Sequence, residues 1–439
     1  MFQYLTTIFS VIFLVNMCFG EEPAVMRLTG DWTVEVQFRG QTATLNIDPS
    51  DQFDVKAEKY DRLPLYNEQR TWNNELVLTQ TKGTDDFPTS FALVSGSVIV
   101  RDGSGANAKI FESEKDYNVF TRWGAVGRTP ESRIGEHQPV WIDYRYGKMR
   151  IDSVVLTKDG KIELRKGTPH IMMPQPPSIV DGERRLGNIW IKANTERLDA
   201  NALFPILETE FHEPPKTQGN TVAEKLLPKT MAKINSGEKL RILAWGDSVT
   251  DAGYLKDPKT ERWQEQFVKR LQKRFPNAKI ELLTEAWGGR GSGSYLAEPA
   301  GSKYNFKEKI LDLKPDLIIM EFVNDAGLSG EALIKQYSIL LESFRKIGAE
   351  WIILAPHYVR TDWMGLDRER NIDDDPRQYV KDLRRFAAEN RIALADAAAR
   401  YGRLWRQGIP YSTLMSNNIN HPDKTGLKIF ADALMELFP

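Results

Sequence analysis

The stretch Leu-Arg-Ile-Leu-Ala-Trp-Gly-Asp-Ser-Val-Thr-Asp-Ala-Gly, residues 240–253, is an apolar strand running straight into Gly246-Asp247-Ser248. Ile242, Leu243 and Ala244 suit a central parallel strand covered on both faces. Gly246 allows a tight turn, which leaves the Ser248 hydroxyl exposed at the carboxyl end of the strand. Open α/β sheets keep their chemistry at that end.

From about residue 238 onward the same alternation repeats. Strand candidates are Leu240–Trp245, Lys279–Leu283, Asp316–Met320, Glu350–Ala355 and Arg391–Ala395. Helical stretches Glu261–Phe275, Glu331–Ile347, Pro376–Asn390 and Lys424–Leu437 lie between or after them. Within Glu331–Ile347, Leu333, Ile334, Tyr337, Leu340, Leu341 and Phe344 fall at three- and four-residue intervals, a core-facing stripe. Residues 238–439 are therefore expected to form an α/β doubly wound parallel sheet with right-handed crossovers.

Residues 24–215 have a different period. Trp32, Val34, Val36 and Phe38 alternate with polar residues, as do Val140, Ile142, Tyr144 and Tyr146. Val154–Leu164 reads as a hairpin turning at Asp159-Gly160. Apolar runs at Glu75–Leu78, Phe91–Val100 and Asn188–Lys192 add strand candidates. Such short, punctuated strands predict an antiparallel β-sandwich or jelly-roll domain. Residues 216–237, opened by the proline-bearing 214–220 segment, read as a linker.

Composition narrows the function. At 439 residues the chain is long for one core. Charged residues make up 27% and the net charge is −1, with both signs dispersed. No basic stripe marks a nucleic-acid partner. Met1–Gly20 carries no charged side chain, has an apolar centre at residues 8–15, and ends with Cys18 and Gly20 before Glu21. Residues 1–20 are expected to be a signal peptide, giving an exported protein, periplasmic or extracellular. A lipid anchor at Cys18 is the alternative, and no membrane span is expected in the mature chain. Cys18 is the only cysteine, so the mature chain would hold no disulfide. The five histidines, His137, His170, His212, His357 and His421, lack metal-ligand spacing, and neither metal nor cofactor is expected.

Loops after parallel strands share one edge. After the second strand comes Glu285–Ser294, whose four glycines let backbone N–H groups approach a ligand closely. After the third comes Glu321-Phe322-Val323-Asn324-Asp325, where Asn324 offers an amide N–H. Near the end, Asn417-Asn418-Ile419-Asn420-His421-Pro422 precedes the last helix, with Pro422 placed to start it. Together these supply a nucleophile, oxyanion donors and a base on one edge.

In these four blocks the chain resembles the SGNH or GDSL hydrolases, over roughly residues 238–439. The resemblance implies Ser248 as nucleophile, His421 as base, and an oxyanion hole from Ser248, Gly289 and Asn324. Ala286-Trp287-Gly288-Gly289-Arg290 followed by Ser294-Tyr295 is most similar to rhamnogalacturonan acetylesterases. There are two departures. Phe322 stands where the family has glycine, and Asn418, three before the histidine, stands where it has aspartate. Asn418 can accept from the histidine Nδ1–H but brings no negative charge. Three readings follow: a Ser248–His421–Asn418 triad, a Ser-His dyad with another acceptor, or a catalytically silent relative. Asp247 is given no chemistry; Asp396 and Asp423 read as capping or first-turn residues, and His357 as a loop histidine near the edge.

The resemblance implies a serine esterase that deacetylates carbohydrate esters through an acyl-enzyme. The alternatives are a silent glycan-binding protein and a lipid or thioester hydrolase. Trp32, Trp72, Trp123, Trp141 and Trp190 make the amino-terminal half aromatic-rich, so carbohydrate is its expected ligand unless those rings are core. The oligomeric state is not legible.

Overall fold

The computed structural model describes residues 22–71, 75–83, 87–211 and 220–439. The candidate signal peptide with Cys18, Trp72, His212 and most of the proline-bearing segment lie outside the described residues. Among those described, no helix is long and apolar enough to cross a membrane.

The amino-terminal half is antiparallel β structure built around two small cores. Its strands are β1 (Val25–Gly30), β2 (Thr33–Phe38), β3 (Gln41–Asn46), β4 (Gln52–Tyr60), β5 (Ile99–Arg101), β6 (Tyr117–Phe120), β7 (Ala125–Arg128), β8 (Val140–Gly147), β9 (Arg150–Leu156), β10 (Ile162–Arg165), β11 (Arg184–Ile191) and β12 (Leu203–Pro205). Sheet β1-β2-β3 and sheet β10-β9-β11-β12 enclose one core with Val34, Val36, Phe38, Val154 and Ile189. Sheet β4-β8-β5 and the pair β6-β7 share a second, with Val126, Ile142 and Tyr144. The alternation along β2 buries every second side chain, as its period requires. At the β9–β10 hairpin Thr157 N–H donates to Lys161 O at 2.8 Å, and Gly160 takes φ +82°. Two apolar runs are not strands as expected. Glu75–Leu78 makes only an isolated bridge between Val77 and Ala125. Of Phe91–Val100 only the last two residues join β5. Gly96, at φ +69°, and the Ser97 N–H to Val94 O bond turn the chain first.

The carboxyl-terminal half is the expected parallel sheet. Its strands are β13 (Lys239–Gly246), β14 (Lys279–Ala286), β15 (Leu317–Glu321), β16 (Glu350–Leu354) and β17 (Ala393–Ala395), ordered β14-β13-β15-β16-β17. The helices are α1 (Val222–Leu226), α2 (Pro228–Ser236), α3 (Ser248–Asp251), α4 (Pro258–Glu261), α5 (Trp263–Arg274), α6 (Ser292–Ala297), α7 (Gly330–Ile347), α8 (Gln378–Asn390), α9 (Ala397–Arg403) and α10 (Lys424–Glu436). Helix α5 packs on α10, and α7 on α8. Along α7, Leu333, Tyr337, Leu340, Leu341 and Phe344 are buried, each contributing about 1.5–3 kcal/mol. Ile334 is 40% exposed; it sits at the edge of the stripe, where the core no longer reaches. Trp245, fully buried, packs edge-on against Tyr295 and Phe322 at 5.3 and 5.0 Å.

Within the linker expected over residues 216–237, residues 222–236 form two helices instead. A capping box between Thr221 and Glu224 starts α1, and Pro228 starts α2. Ala223, Leu227, Met231 and Ile234 are buried in the carboxyl-terminal core, so this segment belongs to the α/β half. The halves also pack on each other. Met149, Ile151, Trp190 and Phe204 close over Trp405, and Asn188 Nδ2 donates to Gly408 O at 2.7 Å in a buried position.

Candidate active site

Register places the site. Gly246, the last residue of β13, pairs with Ala286 of β14 and with Glu321 of β15. The chain therefore leaves three neighbouring strands at one level, at the point where strand order reverses. Gly246 is required there: a Cβ would lie 2.1 Å from Thr250 Oγ1 and 2.3 Å from Glu321 O. Asp247 caps the short helix α3, accepting from Val249 N–H at 3.0 Å, and Ser248 begins that helix.

Ser248 Oγ lies 3.0 Å from His421 Nε2 across 173 residues of sequence. The Tyr254 ring covers one face of the imidazole, with centroids 4.3 Å apart and planes 3° apart. Tyr254 Oη donates to Pro422 O at 3.0 Å, which fixes that ring to the same loop. Burial holds the His421 imidazole down at about 4, below its ordinary 6.5, so the ring is neutral at pH 7. A neutral imidazole in hydrogen-bond reach of a hydroxyl can take its proton.

The Asn324 block is tied to the serine turn through Asp247. Its Oδ2 accepts from both Asn324 N–H, at 2.9 Å, and Asn324 Nδ2, at 2.7 Å. One amide N–H is thereby used, and the geometry of the other is set. Asp325 does the same for the glycine loop. It accepts from Ser292 N–H at 2.9 Å and Ser292 Oγ at 2.6 Å, and Tyr337 Oη donates to it at 3.2 Å. Asp247, Glu321 and Asp325 are all buried carboxyls, and burial pushes each above its usual range, Asp247 and Asp325 to about 6. Glu321 is the member held protonated, because Asp247 is the one met by three N–H donors.

The turn Trp287–Arg290 packs on the serine through Gly288, where an added Cβ would stand 3.6 Å from Ser248 Cβ. Gly289 adopts φ +72°. Neither its N–H nor that of Ser248 is spent on a hydrogen bond among the described residues.

Asn418 is not brought to the imidazole. No hydrogen bond joins its side chain to His421, and its backbone is left-handed at φ 55°. Its neighbour Asn417 shapes the loop instead. Asn417 Oδ1 accepts from the N–H groups of Ile419, Asn420 and His421 at 3.0, 2.9 and 2.9 Å. Asn417 and Tyr254 are the site residues that sequence reasoning missed. His357 is fully buried, and its Nε2–H donates to Asn420 O at 2.8 Å, bracing the loop from beneath. Asp423 caps α10 by accepting from Gly426 N–H at 2.7 Å, and Asp396 caps α9.

The fold and this arrangement define an SGNH-type α/β hydrolase domain. Residues 244–429 match the GDSL-like lipase/acylhydrolase family. No curated protein matches the chain. Among solved structures, a two-domain esterase active on acetylated mannans is 20% identical over 47% of this chain and 50% of its own, with a TM-score of 0.38. Its complex with mannopentaose gives 21%, 49%, 53% and 0.39. An acetyl xylan esterase from Geobacillus stearothermophilus is 19% identical over 45% of this chain and 94% of its own, at 0.36. The chain thus spans about half the length of the two-domain esterase.

Proposed function

We propose that this protein is an exported serine esterase that removes acetyl groups from carbohydrate esters through an acyl-enzyme. The observation that carries the reading is the 3.0 Å contact between Ser248 Oγ and the neutral His421 Nε2. His421 takes the hydroxyl proton as Ser248 Oγ bonds to the ester carbonyl carbon. The oxyanion meets the Ser248 and Gly289 N–H groups and the free N–H of Asn324. His421 then gives its proton to the departing sugar oxygen. Water repeats the sequence on the acyl-enzyme and regenerates the hydroxyl. Incubation with acetylated polysaccharides is expected to release acetate; no acetate and no labelling of Ser248 by a fluorophosphonate would end the proposal. That outcome would favour a silent glycan-binding relative, the reading supported by the lack of any hydrogen-bond partner on His421 Nδ1 among the described residues.

The third member is an aromatic face rather than a side chain at 418. An imidazolium over a tyrosine ring gains about 0.5–2 kcal/mol. Tyr254→Leu is expected to lower kcat on an aryl acetate about tenfold, and Tyr254→Phe, which keeps the ring, by less than about threefold. The acid limb of kcat/KM reports the free enzyme's base. Catalysis needs the neutral imidazole, so activity is expected to persist as pH falls below 6.5 and to fail near pH 4. A limb at 6–7 would show a partner on Nδ1 that restores an ordinary value.

Asn418→Gly removes the amide and keeps the left-handed backbone. It is expected to lower kcat on the aryl acetate less than about tenfold; a loss on the order of 10³ or more would return Asn418 to the triad.

A further inference from the structure

A cavity opens along the seam between the two halves and encloses about 580 Å³. Phe91, Arg122, Trp190 and Asn194 line it from the amino-terminal half, and Arg360 and Asn418 from the other. Its volume is in the usual range for a ligand site.

Three non-glycine residues with left-handed backbone line this one cavity: Phe91 at φ 61°, Asn194 at φ 56° and Asn418 at φ 55°. Asparagine tolerates that region, but a bulky residue there costs roughly 1–2 kcal/mol. The surroundings impose it on Phe91. Its N–H donates to Arg122 O at 2.7 Å, and Asn194 Nδ2 donates to Phe91 O and Ala92 O at 2.9 and 2.8 Å. The result is a phenyl ring held 57% exposed, with the Arg122 guanidinium 5.6 Å from its centre. Strain that keeps an aromatic ring in solvent serves no packing purpose and is the pattern of a ligand platform.

The charges of the wall identify the ligand class. Arg122 and Arg360 both pair with Asp362, and Lys192 pairs with Glu369. With Glu196, three carboxylates line the cavity against three cations, so the wall carries no net charge and offers hydrogen bonds and aromatic faces without a net field for an anion. The seam also reaches the loop that carries His421, through Asn418. Arg360 N–H donates to Ile419 O at 2.8 Å, and the turn Thr361–Met364 is shared. Thr361 and Asp362 face the seam, whereas Trp363, 60% exposed, lines the pocket that holds Asn324 and Asn420.

We propose that the seam is a glycan subsite for an uncharged, hydroxyl-rich oligosaccharide whose ester-bearing sugar lies at Ser248. Phe91 is its ring-stacking platform, and Trp363 offers a second ring in the neighbouring pocket beside Asn324 and Asn420. The proposal rests on the esterase reading for its kinetic arm alone. Its binding arm uses Ser248→Ala protein titrated calorimetrically with acetylated mannohexaose, acetylated xylohexaose and hexagalacturonate.

At least one acetylated hexaose is expected to bind, and hexagalacturonate at least tenfold more weakly. Phe91→Gly removes the ring and the strain together. It is expected to raise Tm while weakening hexaose binding at least tenfold, a combination that a structural role does not produce. Ser95→Trp, at an exposed wall position, fills the cavity and should weaken binding similarly. In the kinetic arm, the ratio of kcat/KM on acetylated hexaose to that on 4-nitrophenyl acetate should fall at least tenfold in both variants. Failure of both hexaoses to bind, equal binding of hexagalacturonate, or binding unchanged within twofold in both variants overturns the proposal. Loss of esterase activity alone, with binding as expected, overturns the catalytic reading and leaves the subsite standing.

Discussion

Ser248→Ala is expected to lower kcat on 4-nitrophenyl acetate by about 10⁴-fold or more, with the fold intact. Among the described residues the only side-chain hydrogen bond of Ser248 is the one to His421, and the residue is half-buried, so losing its oxygen disturbs little packing. Stability should change by less than about 1 kcal/mol. His421→Ala is expected to cost a similar factor, and the double variant no more than either single one, because the two groups act as one unit in the proton transfer. A double variant far worse than both would mean that hydroxyl and imidazole act in separate steps. Residual activity near that of the unaltered protein in Ser248→Ala would place the attacking group elsewhere.

The legible parts of this protein are those fixed by short-range chemistry. Strand β13 announces itself because a residue flanked by Thr250 and Glu321 has no room for a Cβ, and the chain supplies Gly246 there. The parallel sheet follows from aliphatic runs alternating with amphipathic ones, and the α7 stripe from its period. The capping box Thr221–Glu224 is equally local, whereas the proline-bearing segment before it favours a linker over 216–237. What the sequence hides is side-chain orientation within loops. Asn417 and Asn418 are identical and adjacent. Asn418 takes a left-handed φ and lines the seam, whereas Asn417 collects three N–H donors. Tyr254 on His421 is a contact between distant segments with no local periodicity to betray it. The tryptophan count misleads for the same reason. Trp123 and Trp190 are buried, Trp32 and Trp141 half-buried, and the exposed rings beside the cavities are Phe91 and Trp363.

Asn324→Ala is expected to lower kcat about 10²- to 10³-fold with little change in KM, the cost of one oxyanion donor in a preorganised site. The amide binds the developing charge and not the resting carbonyl, so its loss falls on the transition state. Asp247 makes this donor effective. Its Oδ2 takes one Asn324 Nδ2 proton at 2.7 Å and thereby fixes the plane of the amide, which aims the second proton. Asp247→Asn tests that dependence. An amide at 247 that turns its NH₂ toward Asn324 opposes two donors, and one that turns its oxygen there still lacks the charge. The 247 variant should therefore lose much of what Asn324→Ala loses, and the double variant should fall short of the product of the two losses by a coupling of about 1 kcal/mol or more. Strict additivity would mean that Asp247 serves only to cap α3 through Val249 N–H. In that case the Asn324 amide would owe its orientation to the turn Val323–Asp325 alone.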